Sequence, residues 1–310
     1  MNDISERSDT QENSPLEKAG TALFDAAFAE RISRLKLAIT KKSTLGYQGR
    51  RRSSLKGSSA EFSDFREYVP GDDVRRIDWN VYARLDRPYV REYMEERESA
   101  VNIFMDMSSS MSMEGKDLYS KRLAATMTMI SLSNLDRVGL FMIYDDRVDN
   151  VRLAGGKNNI RRALDVIENA GYGRDADLFA AINRIPYIPA GLSIIISDFC
   201  RQSFIENGKN LCRYLSYRGQ KTILLQVLSP FELRPDLTGS HMLIDSEEAY
   251  KPVRITMDSR VLRDYDREMS SFLHDTAGIA KETGAVYHLC DTSVPYDRMI
   301  FEELRDIYDV

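Results

Sequence analysis

Two apolar runs that each end on an aspartate constrain this chain more than any other feature. Val101-Asn102-Ile103-Phe104-Met105-Asp106 leads into Met107-Ser108-Ser109-Ser110-Met111, and Leu192-Ser193-Ile194-Ile195-Ile196-Ser197 ends on Asp198. Runs this continuous belong to strands buried on both faces. From Val101 onward they alternate with helical stretches, the pattern of a doubly wound α/β fold with a mainly parallel sheet. Such sheets gather ligands at the carboxyl ends of their strands, where both aspartates fall.

The alternation predicts strands over 101–106, 138–144, 148–153, 192–198, 221–228 and 285–289, with 148–153 pairing back across the turn at Asp145-Asp146-Arg147. Helices are expected over 117–132, 159–169, 177–185, 203–217 and 260–283, and 192–198 is expected to be central. Upstream, Leu23, Phe24, Ala27, Phe28, Ile32 and Leu35 recur at helical spacing and predict a first helix between Leu16 and Leu37. Residues 46–59, rich in Gly, Ser and basic side chains, read as loop. β-leaning segments at Tyr68-Val69, Ile77-Asp78-Trp79 and Tyr89 to Tyr93, with a turn at Pro70-Gly71-Asp72-Asp73, indicate a small, partly β-rich module. The boundaries expected are a disordered tail over 1–17, an N-terminal segment over 18–98 and the α/β domain over 99–310.

Asp106, Ser108 and Ser110 follow an Asp-x-Ser-x-Ser spacing just past a strand tip, where strict pleated alternation no longer holds and three oxygen side chains can converge. A hard divalent cation such as Mg²⁺ or Mn²⁺ favours about six oxygen ligands. The same residues also suit a helix N-cap that does no more than satisfy backbone N–H groups. Asp198, at the end of a second strand, supports the metal reading.

The chain has 310 residues, 43% of them hydrophobic, and no apolar run long enough to span a bilayer. Its start lacks a basic and apolar leader, so a cytoplasmic protein that is not integral to the membrane is expected. Cys200, Cys212 and Cys290 fit no zinc spacing and read as buried small hydrophobes. A net charge of −5 conceals a basic stretch, with Arg31, Arg34, Lys36, Lys41, Lys42, Arg50, Arg51, Arg52 and Lys56 before the acidic Glu61. That stretch suits nucleic acid, anionic lipid or an acidic protein, or else a solvated segment paired internally.

The strand order with Asp-x-Ser-x-Ser after the first strand resembles the von Willebrand factor A domain and its metal-ion-dependent adhesion site. The block Phe65-Arg66-Glu67-Tyr68-Val69-Pro70-Gly71-Asp72-Asp73-Val74-Arg75-Arg76-Ile77-Asp78-Trp79, followed by Ala83-Arg84 and Val90-Arg91-Glu92-Tyr93, resembles the signature of the bacterial domain-of-unknown-function family 58. In that family the block leads into the A-type domain, and members are typically encoded beside MoxR-type AAA+ ATPases. The resemblance implies such an ATPase as partner, together with a client protein. It also implies a Thr ligand from the loop Gly171-Tyr172-Gly173-Arg174-Asp175-Ala176-Asp177-Leu178, where this chain has Ala176. Asp175 or Asp177 is then the substitute, or water fills the gap, or the metal site is weakened, and Asp177 also suits an N-cap.

Within the block, Asp72, Asp73 and Asp78 lie within reach of Arg66, Arg75, Arg76 and Arg84, which predicts a carboxylate–guanidinium network with Trp79 packed beside it. That network reads either as architecture or, together with Tyr68 and Gly71, as a partner surface. The expected function is a metal-dependent protein-binding adaptor rather than an enzyme. His241, His274 and His288 form no metalloprotease pattern, Gly155-Gly156-Lys157-Asn158 is no phosphate-binding loop, and Ser109 sits in no nucleophile elbow. A metal-dependent hydrolase and a nucleic-acid binder remain the alternatives.

Overall fold

A computed structural model describes residues 23–37, 61–72, 74–94, 99–145, 147–173, 177–200, 202–237, 239–243 and 253–309. The expected tail over 1–17, most of the basic stretch, Asp73, Asp175 and Ala176 lie outside them. The described residues fall into two units, one holding 23–37 and 99–309 and the other 61–94.

The larger unit begins with α1 (Ala26–Ile32), capped by Asp25, whose carboxylate accepts the Phe28 N–H at 2.7 Å. Phe24, Phe28 and Ile32 are buried in the core of this unit, so the first helix does not belong with the charged block. It also stops earlier than its apolar spacing suggests, because the chain turns at Ser33 and Lys36–Leu37 (β1) forms a ladder with the C-terminal strand.

In the smaller unit, β2 (Glu61–Glu67) and β3 (Tyr89–Met94) pair antiparallel around α2 (Trp79–Leu85). The β-leaning reading holds at Ile77, which bridges antiparallel to Val90, and the Asp78 N–H donates to the Tyr89 carbonyl at 2.8 Å, but at Trp79 it gives way to a helix start. Buried Asp78 accepts the N–H groups of Asn80 and Val81 at 2.9 and 3.2 Å, satisfying donors that a strand would have used otherwise. Tyr68 and Val69 lie past the end of β2, where Asp72 accepts the Val69 N–H at 2.9 Å. Trp79 is 63% exposed and meets Tyr82 edge-on at 5.9 Å.

The rest of the chain builds a six-stranded sheet. In chain order come β4 (Ala100–Asp106), α3 (Lys116–Ser133), β5 (Arg137–Ile143), β6 (Val148–Leu153), α4 (Ile160–Asn169), α5 (Leu178–Arg184), β7 (Gly191–Ser197), α6 (Gln202–Tyr217), β8 (Gln220–Leu228), α7 (Pro230–Leu233), the hairpin β9 (Gly239–Leu243) and β10 (Val253–Met257), α8 (Ser259–Thr283), β11 (Val286–Asp291) and β12 (Tyr308–Asp309). The sheet order is β11-β8-β7-β4-β5-β6, parallel except for the antiparallel edge strand β6. The β9–β10 hairpin and the β1–β12 ladder have no counterpart in the sequence reading.

Alternate side chains of each strand feed two cores. Val101, Ile103, Met105, Ile194 and Leu225 face α1, α3, α4 and the C-terminal segment, whereas Phe104, Ile195 and Leu224 face α5, α6 and α8. At the amino ends of the strands, buried Asn102 donates to the Pro189 carbonyl at 3.1 Å and to Gln220 Oε1 at 3.2 Å. Ser193 donates to the same Gln220 oxygen at 2.9 Å, and Gln220 Nε2 returns to the Pro189 carbonyl. Gly191 lies so close that a Cβ there would come within 2.0 Å of the Ala100 carbonyl oxygen. A polar clasp thus pins β4, β7 and β8 to one register at the edge opposite the aspartates.

Candidate metal centre

β4 and β7 are neighbours at the centre of the sheet, and their register carries Asp106 and Asp198 to the same carboxyl edge. Both aspartates are buried, at 5% and 2% exposure. One Asp106 oxygen accepts the Ser108 N–H at 2.9 Å, and the other accepts the Ser197 hydroxyl at 2.6 Å. The Ser108 and Ser110 hydroxyls lie 3.1 Å apart, so the predicted Asp-x-Ser-x-Ser convergence is present. A small recess of about 10 Å³ opens beside Asp106, walled by Leu178, Phe179, Phe199 and Phe204.

Asp198 is held differently. Its Oδ1 accepts the Cys200 N–H at 3.1 Å, and its carbonyl accepts Gln226 Nε2 at 2.8 Å. Between them Phe199 takes a left-handed φ of 56°, unusual for a bulky residue, fixed by its N–H to Ser197 Oγ at 3.0 Å and by stacking on Phe204 at 4.3 Å. The other carboxylate oxygen of Asp198 accepts the Lys116 ammonium at 3.0 Å. That ammonium also donates to Glu232 at 2.5 Å, and its side chain is 1% exposed. Glu232 is itself anchored by a capping box on α7, accepting the Ser229 N–H at 2.8 Å and its hydroxyl at 2.9 Å.

Lys116 and Glu232 were not anticipated as part of the site. Ser229-Pro230-Phe231-Glu232 carries a capping-box spacing that marks Glu232 as ordered, but nothing local in Glu114-Gly115-Lys116-Asp117 announces a buried ammonium.

Burial, and then the charge of Asp198, push the Asp106 carboxyl up from its ordinary 3.8 to about 6. Among the described residues, the Lys116 ammonium meets two carboxylates and Asp106 adds a third nearby, an excess of negative charge that a divalent cation would offset. The oxygen donors Asp106, Ser108 and Ser110 fit a hard cation. Asp198, Cys200 and Glu232 also bring ligand atoms within 4.8 Å of one another, but the Lys116 ammonium already bridges the two carboxylates. The burial of the Cys200 sulfur, with the charge of Asp198 next, pushes its thiol pKa up and disfavours the thiolate a soft metal would need. As a residue Cys200 is exposed, contrary to the sequence reading, whereas Cys212 and Cys290 are buried as expected.

The loop expected to supply a further ligand does arrive at the site, for the Gly173 N–H donates to the Met107 carbonyl at 2.6 Å. Asp175 and Ala176, which follow it, lie outside the described residues. Asp177 is the N-cap of α5, accepting the Ala180 N–H at 3.0 Å.

The signature residues Asp72 and Asp78 lie in the smaller unit. Asp72 serves a turn and Asp78 a helix cap, while Glu67 pairs with Arg87 at 3.3 Å. The side chains of Arg66 and Arg76 lie outside the described residues.

Fold and site together define a doubly wound α/β protein with an acid-and-hydroxyl cluster at the carboxyl ends of its two central strands. The chain belongs to the family described as protein of unknown function DUF58, whose model matches residues 64–272. It is 28% identical over 272 residues to uncharacterized protein Rv1480 of Mycobacterium tuberculosis (strain ATCC 25618 / H37Rv) and, to the same extent, to uncharacterized protein Mb1516 of Mycobacterium bovis, with 84% of each chain covered. Among solved structures, it is similar to conserved hypothetical protein BatB from Bacteroides thetaiotaomicron, at 14% identity and a TM-score of 0.40, covering 67% of this chain and 98% of that one. Similarity to the SpRpn10 VWA domain stands at 10% identity and a TM-score of 0.39, over 68% and 94% of the two chains.

Proposed function

We propose that this protein is a metal-dependent protein-binding module. Mg²⁺ or Mn²⁺ would be held by Asp106, Ser108 and Ser110, with Asp198 behind them and Asp175 a further candidate from the neighbouring loop. When bound, the ion supplies an electrophilic position that an acidic side chain of a partner completes. The observation that carries this reading is that buried Asp106, beside two convergent hydroxyls, has the charge of Asp198 next to it and accepts from the neutral donors Ser108 and Ser197, the Lys116 ammonium being held by Asp198 and Glu232.

Binding is favoured over hydrolysis by what surrounds the carboxylates. Asp106 and Asp198 are hydrogen-bonded to hydroxyls, backbone N–H groups and Lys116, groups that orient a carboxylate. None of these is a histidine poised to move a proton. His288 lies on β11, at the edge of the sheet, with its Nε2 3.1 Å from an Asp306 oxygen. A nucleic-acid role gains nothing from the described part of the basic stretch. Arg31 is engaged by Asp297 at 2.5 Å and by the Phe301 ring, and Arg34 by Glu30. The partner we favour is a MoxR-type AAA+ ATPase acting with this adaptor on a client protein, a reading that rests on the family's charged block. No helix among the described residues is long and apolar enough to cross a membrane, consistent with a cytoplasmic role.

The test pairs calorimetric titration of the full chain with MgCl₂ and MnCl₂ with capture of the co-expressed ATPase on immobilised protein. Metal uptake, and capture lost both in chelator and with Asp106→Ala, is the expected result. A folded wild-type protein that takes up neither ion overturns the proposal.

A further inference from the structure

We infer that Lys116 is the charge-setting residue of this centre: its ammonium ties Asp198 to Glu232, withholds Asp198 from direct ligation, and thereby limits how tightly a divalent cation is held. The inference rests on the metal reading above and adds a residue and a mode of control to it.

The placement of Lys116 goes against local preference. It is the first residue of α3, preceded by Gly115 at a φ of 78°, so its positive charge stands at the positive end of a helix of eighteen residues. Its side chain is also 1% exposed, although an ammonium is rarely buried without partners. Both disadvantages are offset by two carboxylates that are fixed before the lysine reaches them. Glu232 is locked by Ser229 through two hydrogen bonds, and its backbone carbonyl accepts the Tyr265 hydroxyl at 2.6 Å. Asp198 is locked through the Cys200 N–H and by the Gln226 contact to its carbonyl.

Asp198 already carries the Lys116 ammonium on one oxygen, whereas Asp106 accepts neutral donors, from Ser108 and Ser197, so the cation is left to Asp106 and the two serines. Among the described residues, one ammonium against three carboxylates leaves an excess of two negative charges, which a divalent ion would offset. Few protein ligands and an adjacent positive charge keep coordination positions open for an outside carboxylate. Without the ammonium, the charges of Asp198 and Glu232 would act on the ion uncompensated and raise its affinity through Coulomb attraction.

The experiment is calorimetric titration of the full chain with MnCl₂, for wild type, Lys116→Met, Glu232→Gln and the double variant, with circular dichroism confirming that each is folded. Lys116→Met is expected to bind Mn²⁺ at least about tenfold more tightly, Glu232→Gln more weakly than wild type, and the double variant, whose net charge is restored, within a few-fold of wild type. Unchanged or weaker binding by a folded Lys116→Met overturns the inference, because a purely structural lysine would leave affinity flat or lower it. If Lys116→Met does not fold, Glu232→Gln decides, and affinity equal to wild type overturns the inference. A wild type that binds no Mn²⁺ while Lys116→Met does would sink the proposed function as stated, yet support the lysine's role in excluding the ion. Absence of binding in all four would remove both.

Discussion

Asp106→Asn is expected to make the metal-free protein more stable and the metal-loaded protein no better than the metal-free one. The rise of the Asp106 carboxyl from 3.8 to about 6 corresponds to about 3 kcal/mol between its protonated and ionised forms in the folded state. The folded chain binds that proton more firmly than the unfolded chain. Stability therefore falls as pH rises from about 3.8 through about 6, and the penalty is complete above that window. Asparagine is nearly isosteric. Its oxygen can still accept the Ser108 N–H, and its amide can donate to Ser197 Oγ in place of the hydroxyl bond it replaces. The preference of those two bonds for the ionised form is already contained in the rise to about 6, so the expected gain is up to about 3 kcal/mol at pH 7.5. Urea denaturation in chelator, repeated from pH 4 to pH 8, reads this directly. Wild type should lose stability across the lower half of that range relative to the variant, and added Mn²⁺ should stabilise wild type alone. A variant less stable than wild type in chelator at pH 7.5, with parallel pH profiles, would refute the reasoning that burial and Asp198 hold Asp106 in an unfavourable charge state.

Three further outcomes are expected. Phe104→Ala empties a fully buried position stacked on Phe141 at 4.8 Å and should cost about 3–5 kcal/mol, measured by equilibrium unfolding. Gly191→Ala drives a methyl to 2.0 Å from the Ala100 carbonyl oxygen and should prevent β4 and β7 from pairing, seen as loss of soluble folded protein; normal yield and melting would contradict that contact. Asp177→Ala removes the α5 cap and should cost about 1 kcal/mol while leaving Mn²⁺ affinity unchanged, whereas Asp175→Ala should weaken it; equal titrations for the two variants would remove Asp175 as a ligand.

The sheet was legible because its strands are apolar on both faces, and β4, β5, β7 and β8 fall within a residue or so of where their runs begin and end. The convergence of Asp106, Ser108 and Ser110, and the arrival of Asp198 beside them, followed from the same pattern. What escaped was non-local. Lys116 belongs to the site only because α7, more than a hundred positions downstream, presents Glu232 to it, and no periodicity encodes that meeting. The helix at Trp79 was hidden because Ile77-Asp78-Trp79 is β-branched and aromatic, while the decisive signal was the capping carboxylate of Asp78. The short β1–β12 ladder joins two stretches from opposite ends of the chain, neither carrying a strand signature of its own.

The clasp of Asn102, Ser193 and Gln220 has a consequence for how this centre can vary. Asn102 and Asp106 share a face of β4 four residues apart, about 13 Å along the strand. Sliding β4 against β7 by one residue would send both side chains into the opposite core, and sliding by two would break the clasp and carry Asp106 about 7 Å past Ser197. The axial spacing of the two aspartates is therefore quantised, with no small adjustment available along the strands. Fine tuning is left to the turns beyond them, at Ser108–Ser110 and Phe199–Cys200, so drift in sequence can reshape what the centre admits without moving the two carboxylates apart.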